Sequence, residues 1–285
     1  MRPPELCPAA LVWVALLAGC TFPTDAERFP PLPERPFVLV ATEPAQGAHD
    51  VPTNPLVRLR LSDFPDPEAL GEVVLRSGRQ ERRCGGLSLQ EAGCAAPRDA
   101  VPCEVDLVAK EILVRPEGLA PDQEHQVELG ALLRSLAGVR LPAAQVLRFR
   151  TGSMTRMEPP SEPVGLAEVL GPRGGLGSSC TLPGTCHAPA GQAPAARGLD
   201  LTLPEEALRS MLTTSRARGS PEQLLQVEPC RPDRSYLLRK LLAYDGFVRT
   251  EGDPMPMPPF VRLEEAAIRL ISDWVRQGAP LRGQR

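Results

Sequence analysis

The sequence contains few aromatic residues, few histidines and almost no lysine. Aromatic side chains make up 4% of the 285 residues, there are three histidines, and all but two of the 32 basic residues are arginine. These basic residues are scattered among 35 acidic ones and form no continuous stripe, which excludes nucleic acid as an expected partner. The shortage of aromatics, together with 34 prolines and 24 glycines, favours short strands, turns and extended linkers over large helical bundles.

Motifs of the common enzyme classes are also lacking. The chain has no Ser-His-Asp order, no phosphate-binding loop and no metalloprotease motif. His49 and His125 each lie alone in a polar, turn-like stretch and are expected at the surface, which leaves His187 as the single candidate base. The sequence therefore predicts a protein that is not an enzyme.

One short apolar run is present, at the N-terminus. Arg2 precedes the segment Ala9 to Ala18 (AALVWVALLA), which is typical of an export signal and too short to span a bilayer as a stable helix. Leu17-Ala18-Gly19-Cys20 resembles the lipobox of bacterial lipoproteins, which implies cleavage after residue 19, lipid on Cys20 and anchoring in a membrane. Thr21 in the next position favours the outer membrane of the cell envelope. A plain secretory signal followed by a chance cysteine is the alternative.

A proline-rich tether, residues 20–36, is expected to precede a β domain at residues 37–152. Seven short apolar or alternating runs in that domain predict strands: 37–41, 56–61, 72–75, 105–108, 112–115, 125–129 and 146–150. Some seven short strands over this length suggest an antiparallel sandwich. The segment 42–55 (TEPAQGAHDVPTNP) resembles the opening of bacterial Ig-like domains of surface-layer and envelope proteins. Residues 119–127 and 147–152 match later landmarks of that family.

Cysteine positions leave several pairings open. Cys84, Cys94 and Cys103 lie in one insertion of the β domain, and in an oxidising envelope two of them are expected to form a disulfide, with Cys94–Cys103 as the suggested pair. Residues 153–163 (SMTRMEPPSEP) are expected to be a linker. Because few contacts should cross such a polar linker, the flanking domains are expected to fold independently.

The segment CTLPGTCH, Cys180 to His187, contains the strongest chemical signal. Two thiols and an imidazole lie together, as they do where a c-type haem is attached by thioethers and its iron is bound by the adjacent histidine. Five residues separate Cys180 from Cys186, whereas the usual motif has two. The expected cofactor is haem c, with Cys180 and Cys186 as attachment residues and His187 as an iron ligand.

Residues 164–285 are expected to be mainly helical, with helices near 164–170, 203–216, 232–242 and 263–277. The Cys-His motif comes first, then helices, a Met-Pro run (GDPMPMPP) and a C-terminal amphipathic helix. The segments 198–201, 232–241 and 268–279, together with that run, resemble the cytochrome c-like modules of planctomycete and myxobacterial envelope proteins. The resemblance implies Met257, or Met255, as the distal iron ligand.

Two functions follow from these patterns. The first is a membrane-tethered electron carrier that exchanges electrons with a redox partner protein. The second is a haem-free surface interaction or adhesion lipoprotein. In this case Cys230 pairs with Cys180 or Cys186, and the cytochrome-like domain is degenerate and is held together by that disulfide. Attachment of haem through Cys186 alone is a third possibility. The overall expectation is a multidomain chain, an all-β Ig-like sandwich followed by a mainly α cytochrome c-like domain.

Overall fold

The computed structural model describes residues 35–91, 93–157, 162–171, 176, 201, 203–213, 224–242 and 263–282. We call residues 35–157 the sheet region and the described residues of 162–282 the helical region. The strands are β1 Leu39–Glu43, β2 Ala48–Val51, β3 Val57–Leu61, β4 Val73–Ser77, β5 Gln80–Gly86, β6 Ser88–Gln90, β7 Gly93–Ala95, β8 Val101–Asp106, β9 Glu111–Val114, β10 Glu124–Leu129 and β11 Gln145–Thr151. The α-helices are α1 Leu166–Leu170, α2 Pro204–Thr213, α3 Tyr236–Leu241 and α4 Glu265–Arg276.

Nine strands form a sheet in the order β1-β3-β9-β8-β5-β4-β10-β11-β2, and β6 and β7 form a separate hairpin. Strand β5 joins two halves of this sheet, because its residues 80–83 pair with β4 whereas its residues 84–86 pair in parallel with β8. When β1, β3, β4, β8, β9, β10 and β11 are lettered A to G, the halves read ABED and CFG. That is the strand order of an immunoglobulin-type sandwich.

All seven predicted strands overlap observed ones, so the expectation of an all-β region is confirmed. Their alternation places one face of each strand in the core. In β11, Leu147 and Phe149 are buried and the arginines between and beside them are exposed. In β3, Val57, Leu59 and Leu61 are buried in the same way.

His125 does not lie at the surface as the sequence analysis expected. It alternates with buried Val127 and Leu129 on the inner face of β10 and is fully buried. Its Nε2 lies 3.3 Å from Thr151 Oγ1 and 3.3 Å from the carbonyl oxygen of Ala120. Burial lowers the pKa of His125, so the ring is held neutral.

Each of the four expected helices overlaps an observed one, whereas the mainly α, cytochrome c-like domain stays a prediction. On α4, Ile268, Ile271 and Trp274 are buried, as the 3.6-residue period predicts. Gly278 follows the helix with a φ of +92°, the left-handed conformation expected of a C-terminal glycine. The segment before α3 begins as a 3-10 helix, Pro232–Arg234. No helix among the described residues is both long and apolar enough to cross a membrane.

The sheet and helical regions share one apolar core, which includes Leu59 and Phe149 from the sheet and Ile271 and Trp274 from α4. The expectation that few contacts cross the linker is therefore wrong. The first part of the linker is itself bound to the sheet region: Asn54 Nδ2 donates to the carbonyl of Arg156 at 2.9 Å, and the Arg156 amide donates back to Asn54 Oδ1 at 2.6 Å. The boundaries at 152 and 164 stay predictions.

Candidate functional site

The residues predicted for lipid and haem attachment lie outside the described part of the chain. They are Cys20, Cys180, Cys186, His187, Met255 and Met257.

Both candidate ligand segments are anchored at their ends in the same core. Leu176 and Leu201 flank the Cys-His motif and are 2% and 4% exposed. Leu242 and Leu263 flank the Met-Pro run and are 2% and 8% exposed. All four leucines belong to the shared apolar core, and α1, which precedes the Cys-His motif, contacts α4, which follows the Met-Pro run.

Two disulfides are present among the described residues. Cys84 bonds to Cys103 within the sheet region, and Cys94 bonds to Cys230 across 136 positions of the chain, so that the β6–β7 hairpin is joined to the helical region. The suggested pair Cys94–Cys103 is therefore wrong. Cys84 lies on β5 opposite Val101 of β8, and Cys103 lies on β8 opposite Gly86, so the disulfide joins these two parallel strands diagonally.

The second disulfide also corrects the expected role of Cys230. Because Cys230 is bonded to Cys94, it is not the partner of Cys180 or Cys186. Four of the six cysteines that follow Cys20 are used by these two bonds. Cys180 and Cys186 can thus bond only to each other, to a cofactor or to something outside the described residues.

Charged side chains hold the two regions together at strand β8. Glu104 and Asp106 lie two positions apart and share the strand face opposite Val105, which points into the core. From α4, Arg276 Nε donates to Glu104 Oε1, and Arg269 Nη1 lies 3.6 Å from Asp106 Oδ2. The helix is thereby aligned along the strand by two pairs of opposite charges.

Glu104 is the most strongly perturbed carboxylate of this junction. It is 4% exposed, and burial raises its pKa above the usual 4.5, although the nearby Arg276 guanidinium opposes that rise. One of its oxygens, Oε2, has no hydrogen-bond partner among the described residues. A buried carboxylate with one unpaired oxygen costs free energy, which other contacts of the junction must offset.

A further ion pair lies next to Cys230 in the sequence. Arg231 donates from Nε and Nη2 to the two carboxylate oxygens of Asp233, each at 2.9 Å, and the side chain of Asp233 is 1% exposed. The Arg231 guanidinium lies against Gly86 of β5, where a Cβ atom would be 2.4 Å from Arg231 Nη1. Glycine at position 86 therefore allows the helical region to approach the sheet closely.

An open depression of about 290 Å³ lies in the sheet region, lined by Glu68, Ala69, Gly71, Glu72, Arg83, Leu132, Arg134 and Arg140. Arg134 is paired with Asp66 at 2.7 Å, and Glu68 is paired with Arg234 at 2.5 Å. The mixed charges give this depression no clear preference for an ion of either sign. The described residues contain no group of histidine, cysteine and acidic side chains that could hold a metal ion.

No family model matches the chain, and no curated protein matches it. Solved structures do match part of it. The N-terminal part of the bacterial S-layer protein SbsC is 8% identical over 41% of this chain and 24% of that one, with a TM-score of 0.26. A longer SbsC structure is 11% identical over 47% and 17%, with a TM-score of 0.28. Native alpha-2-macroglobulin from Escherichia coli is 13% identical over 46% and 34%, with a TM-score of 0.27. This chain thus spans well under two thirds of each.

Proposed function

We propose that the chain is a lipid-anchored protein of the bacterial cell envelope whose helical region binds haem c and carries electrons to or from a redox partner protein. The observation that carries this proposal is the disulfide pattern. Cys84, Cys94, Cys103 and Cys230 are bonded among themselves. None of these four cysteines is therefore available as a disulfide partner for Cys180 or Cys186, the two cysteines that precede His187.

The same bonds support the proposed compartment. Structural disulfides form and persist in oxidising surroundings such as the bacterial envelope. Two of them in this chain agree with the export signal at residues 1–19 and with lipid on Cys20, which would place the protein at a membrane, the outer membrane being our proposal. The ABED and CFG strand order of the sheet region supports an Ig-like domain of the surface-layer type.

The helical region supports a cytochrome c-like domain through its anchoring. The Cys-His motif and the Met-Pro run are each bounded by buried leucines of one core, and the helices before and after them are in contact. Cys180 and Cys186 would attach the haem, His187 would bind the iron, and Met257, or Met255, would be the distal ligand. When bound, haem supplies an iron that gains or loses one electron without a covalent bond being made.

A haem-free surface interaction lipoprotein is the second candidate, favoured by the five-residue spacing between Cys180 and Cys186. In that case the two thiols would bond to each other, and the sheet region would present its loops to a protein or glycan. The disulfide that stabilises the helical region would then be Cys94–Cys230, in place of the expected bond from Cys230 to Cys180 or Cys186.

The two candidates differ in absorbance and in peptide masses. The mature protein, produced in an envelope with a haem-attachment system, should show a Soret band that survives acid-acetone extraction, and its non-reducing peptide map should contain a haem peptide with Cys186. Replacing Met257 by Leu should leave the haem attached but change its spin state; if that change occurs with Met255→Leu and not with Met257→Leu, Met255 is the ligand. A map with a Cys180–Cys186 cross-link and no haem peptide would overturn the electron-carrier proposal in favour of the second candidate.

A further inference from the structure

The two disulfides lie in very different surroundings. Cys84 and Cys103 are 7% and 1% exposed and belong to adjacent strands of the main sheet, within the apolar core. Cys94 is half-buried in the β6–β7 hairpin, whereas its partner Cys230 is 1% exposed. The bond between the regions thus joins a partly exposed residue to a buried one.

The hairpin around Cys94 stands apart from the nine-stranded sheet. Its strands have three residues each, the β6 residues Ser88 to Gln90 are all exposed, and Leu89 is 56% exposed. A short hairpin outside a larger sheet opens at low free-energy cost. A thiol from solution therefore reaches Cys94 before it reaches any of the other three bonded cysteines.

Cys94 and Cys230 also meet at the end of helix α4. The Cys230 amide donates to the carbonyl of Val275 at 2.8 Å, and Cys94 Sγ lies 3.1 Å from the carbonyl oxygen of Arg276. Gly278 also lies near this disulfide, since a Cβ atom built on it would be 3.8 Å from Cys94 Sγ. A change at this disulfide therefore acts on the last turn of α4, the turn from which Arg276 reaches Glu104.

From these observations we propose that Cys94–Cys230 is a thiol-exchange site, attacked at Cys94 by an envelope dithiol, and that its reduction loosens α4 from strand β8. A thiolate of the dithiol forms a bond to Cys94 Sγ, and Cys230 leaves as a thiolate. The second thiol of the dithiol then displaces Cys94. The dithiol is oxidised to a disulfide, two electrons pass to the protein, and the two protons of the dithiol end on Cys94 and Cys230.

After reduction, noncovalent contacts and the chain itself connect the helical region to the sheet region. The contacts of α4 with β8 include the pair of Arg276 with Glu104, whose Oε2 has no partner among the described residues, and the longer pair of Arg269 with Asp106. Reduction opens the loop that the disulfide closes between Cys94 and Cys230, and the conformational entropy of the unfolded chain rises. The proposal requires no haem and stands apart from the proposed function.

The site is tested on the full-length mature protein with dithiothreitol as the dithiol probe. Released thiols are alkylated and mapped by peptide mass spectrometry at increasing reductant concentrations. Cys94 and Cys230 should be labelled at a dithiothreitol concentration about tenfold or more below that needed for Cys84 and Cys103, since access governs exchange. With glutathione as a monothiol probe, the adduct should be on Cys94. Simultaneous labelling of both pairs, or an adduct on Cys230, would overturn the proposal.

The structural consequence is measured by hydrogen exchange. Selective reduction should raise exchange in peptides covering 265–276 and 101–106 several-fold, and the Cys94→Ala/Cys230→Ala double variant should reproduce that pattern without reductant. The control is Cys84→Ala/Cys103→Ala, for which the peptide covering 265–276 should exchange as it does in the unreduced wild type. Unchanged exchange in α4 after selective reduction of Cys94–Cys230 would show that the bond does not hold the helix.

Discussion

Arg276, the last residue of helix α4, donates a hydrogen bond to Glu104 of strand β8 across 172 positions of the chain. The pair joins the helical region to the outer face of the sheet, and Glu104 is almost fully buried there. Burying two charges costs free energy that their attraction does not always repay. The pair therefore sets the position of α4 on β8, whereas the apolar core supplies the stability.

Replacing Arg276 by Met should lower the free energy of unfolding by about 3 kcal/mol, because Glu104 is left buried without its guanidinium. Adding Glu104→Gln to that variant should restore most of the loss. Arg269→Met is the matched control on the same helix; the Arg269 side chain is 45% exposed, and its loss should cost about 1 kcal/mol or less. Urea unfolding of the four proteins gives these values. Equal losses at 269 and 276 would contradict the assigned role.

Glu104 should also give the stability a measurable pH dependence. Since burial raises its folded pKa above 4.5, its contribution to stability is fully present below that value and is lost as pH rises through the folded pKa. Glu104→Gln removes this group. The unfolding free energy of the variant, relative to the wild type, should therefore grow as pH rises above 4.5 and then level off. Chemical unfolding of both proteins from pH 4 to pH 8 measures it, and a difference that shrinks with pH would contradict the prediction.

The two disulfides should differ in their contributions to stability. In the chain-entropy account, a bond that closes a longer loop removes more freedom from the unfolded chain. The separations of 19 and 136 residues correspond to about 3 kcal/mol for Cys84–Cys103 and about 5 kcal/mol for Cys94–Cys230. Thermal unfolding of the two double alanine variants should show the greater loss for the second pair. The order would be reversed if the buried pair in the sheet dominated through packing.

Gly86 should tolerate no side chain. A Cβ there would lie 2.4 Å from Arg231 Nη1, and that guanidinium is held by two hydrogen bonds to buried Asp233. Gly86→Ala should cost about 1–3 kcal/mol, because Arg231 or the strand must shift. Gly71→Ala is the control, since nothing lies within 4 Å of its Cβ position, and it should change stability by about 0.5 kcal/mol or less. Denaturant midpoints of the two variants make the comparison.

Lipid attachment is tested at Cys20. Cys20→Ala should abolish incorporation of labelled palmitate and release the protein from membranes, since the expected anchor is the acylated cysteine. Cys7→Ala, which changes another cysteine of the N-terminal segment, is the matched control and should keep both properties. A Cys20→Ala protein that still fractionates with membranes and carries label would show that the anchor lies elsewhere.

Local patterns in the sequence were sufficient for most of the secondary structure. Alternation of apolar residues located β3 and β11, the helical period located α4, and Gly278 at its end has the positive φ expected there. Four strands were missed. Strand β6 has three residues and is wholly exposed, β2 has two adjacent polar residues between Ala48 and Val51, and β7 consists of three small residues, so none shows a run long enough to predict a strand. Strand β5 ends in two glycines and divides its pairing between two neighbours.

The relationships between distant residues were decided by the tertiary structure. Nothing near Cys94 in the chain indicates that Cys230 is its partner, because disulfide pairing depends on which strands and helices come together in space. The burial of Glu104 has the same origin: the 3-10 helix 232–234 contacts its strand, and Arg276 of α4 donates to its carboxylate. The periodicity of a strand or a helix is a local property, and the spacing of apolar residues in the sequence shows it directly. Contacts across 136 or 172 positions arise only when the sheet and the helices pack around one core.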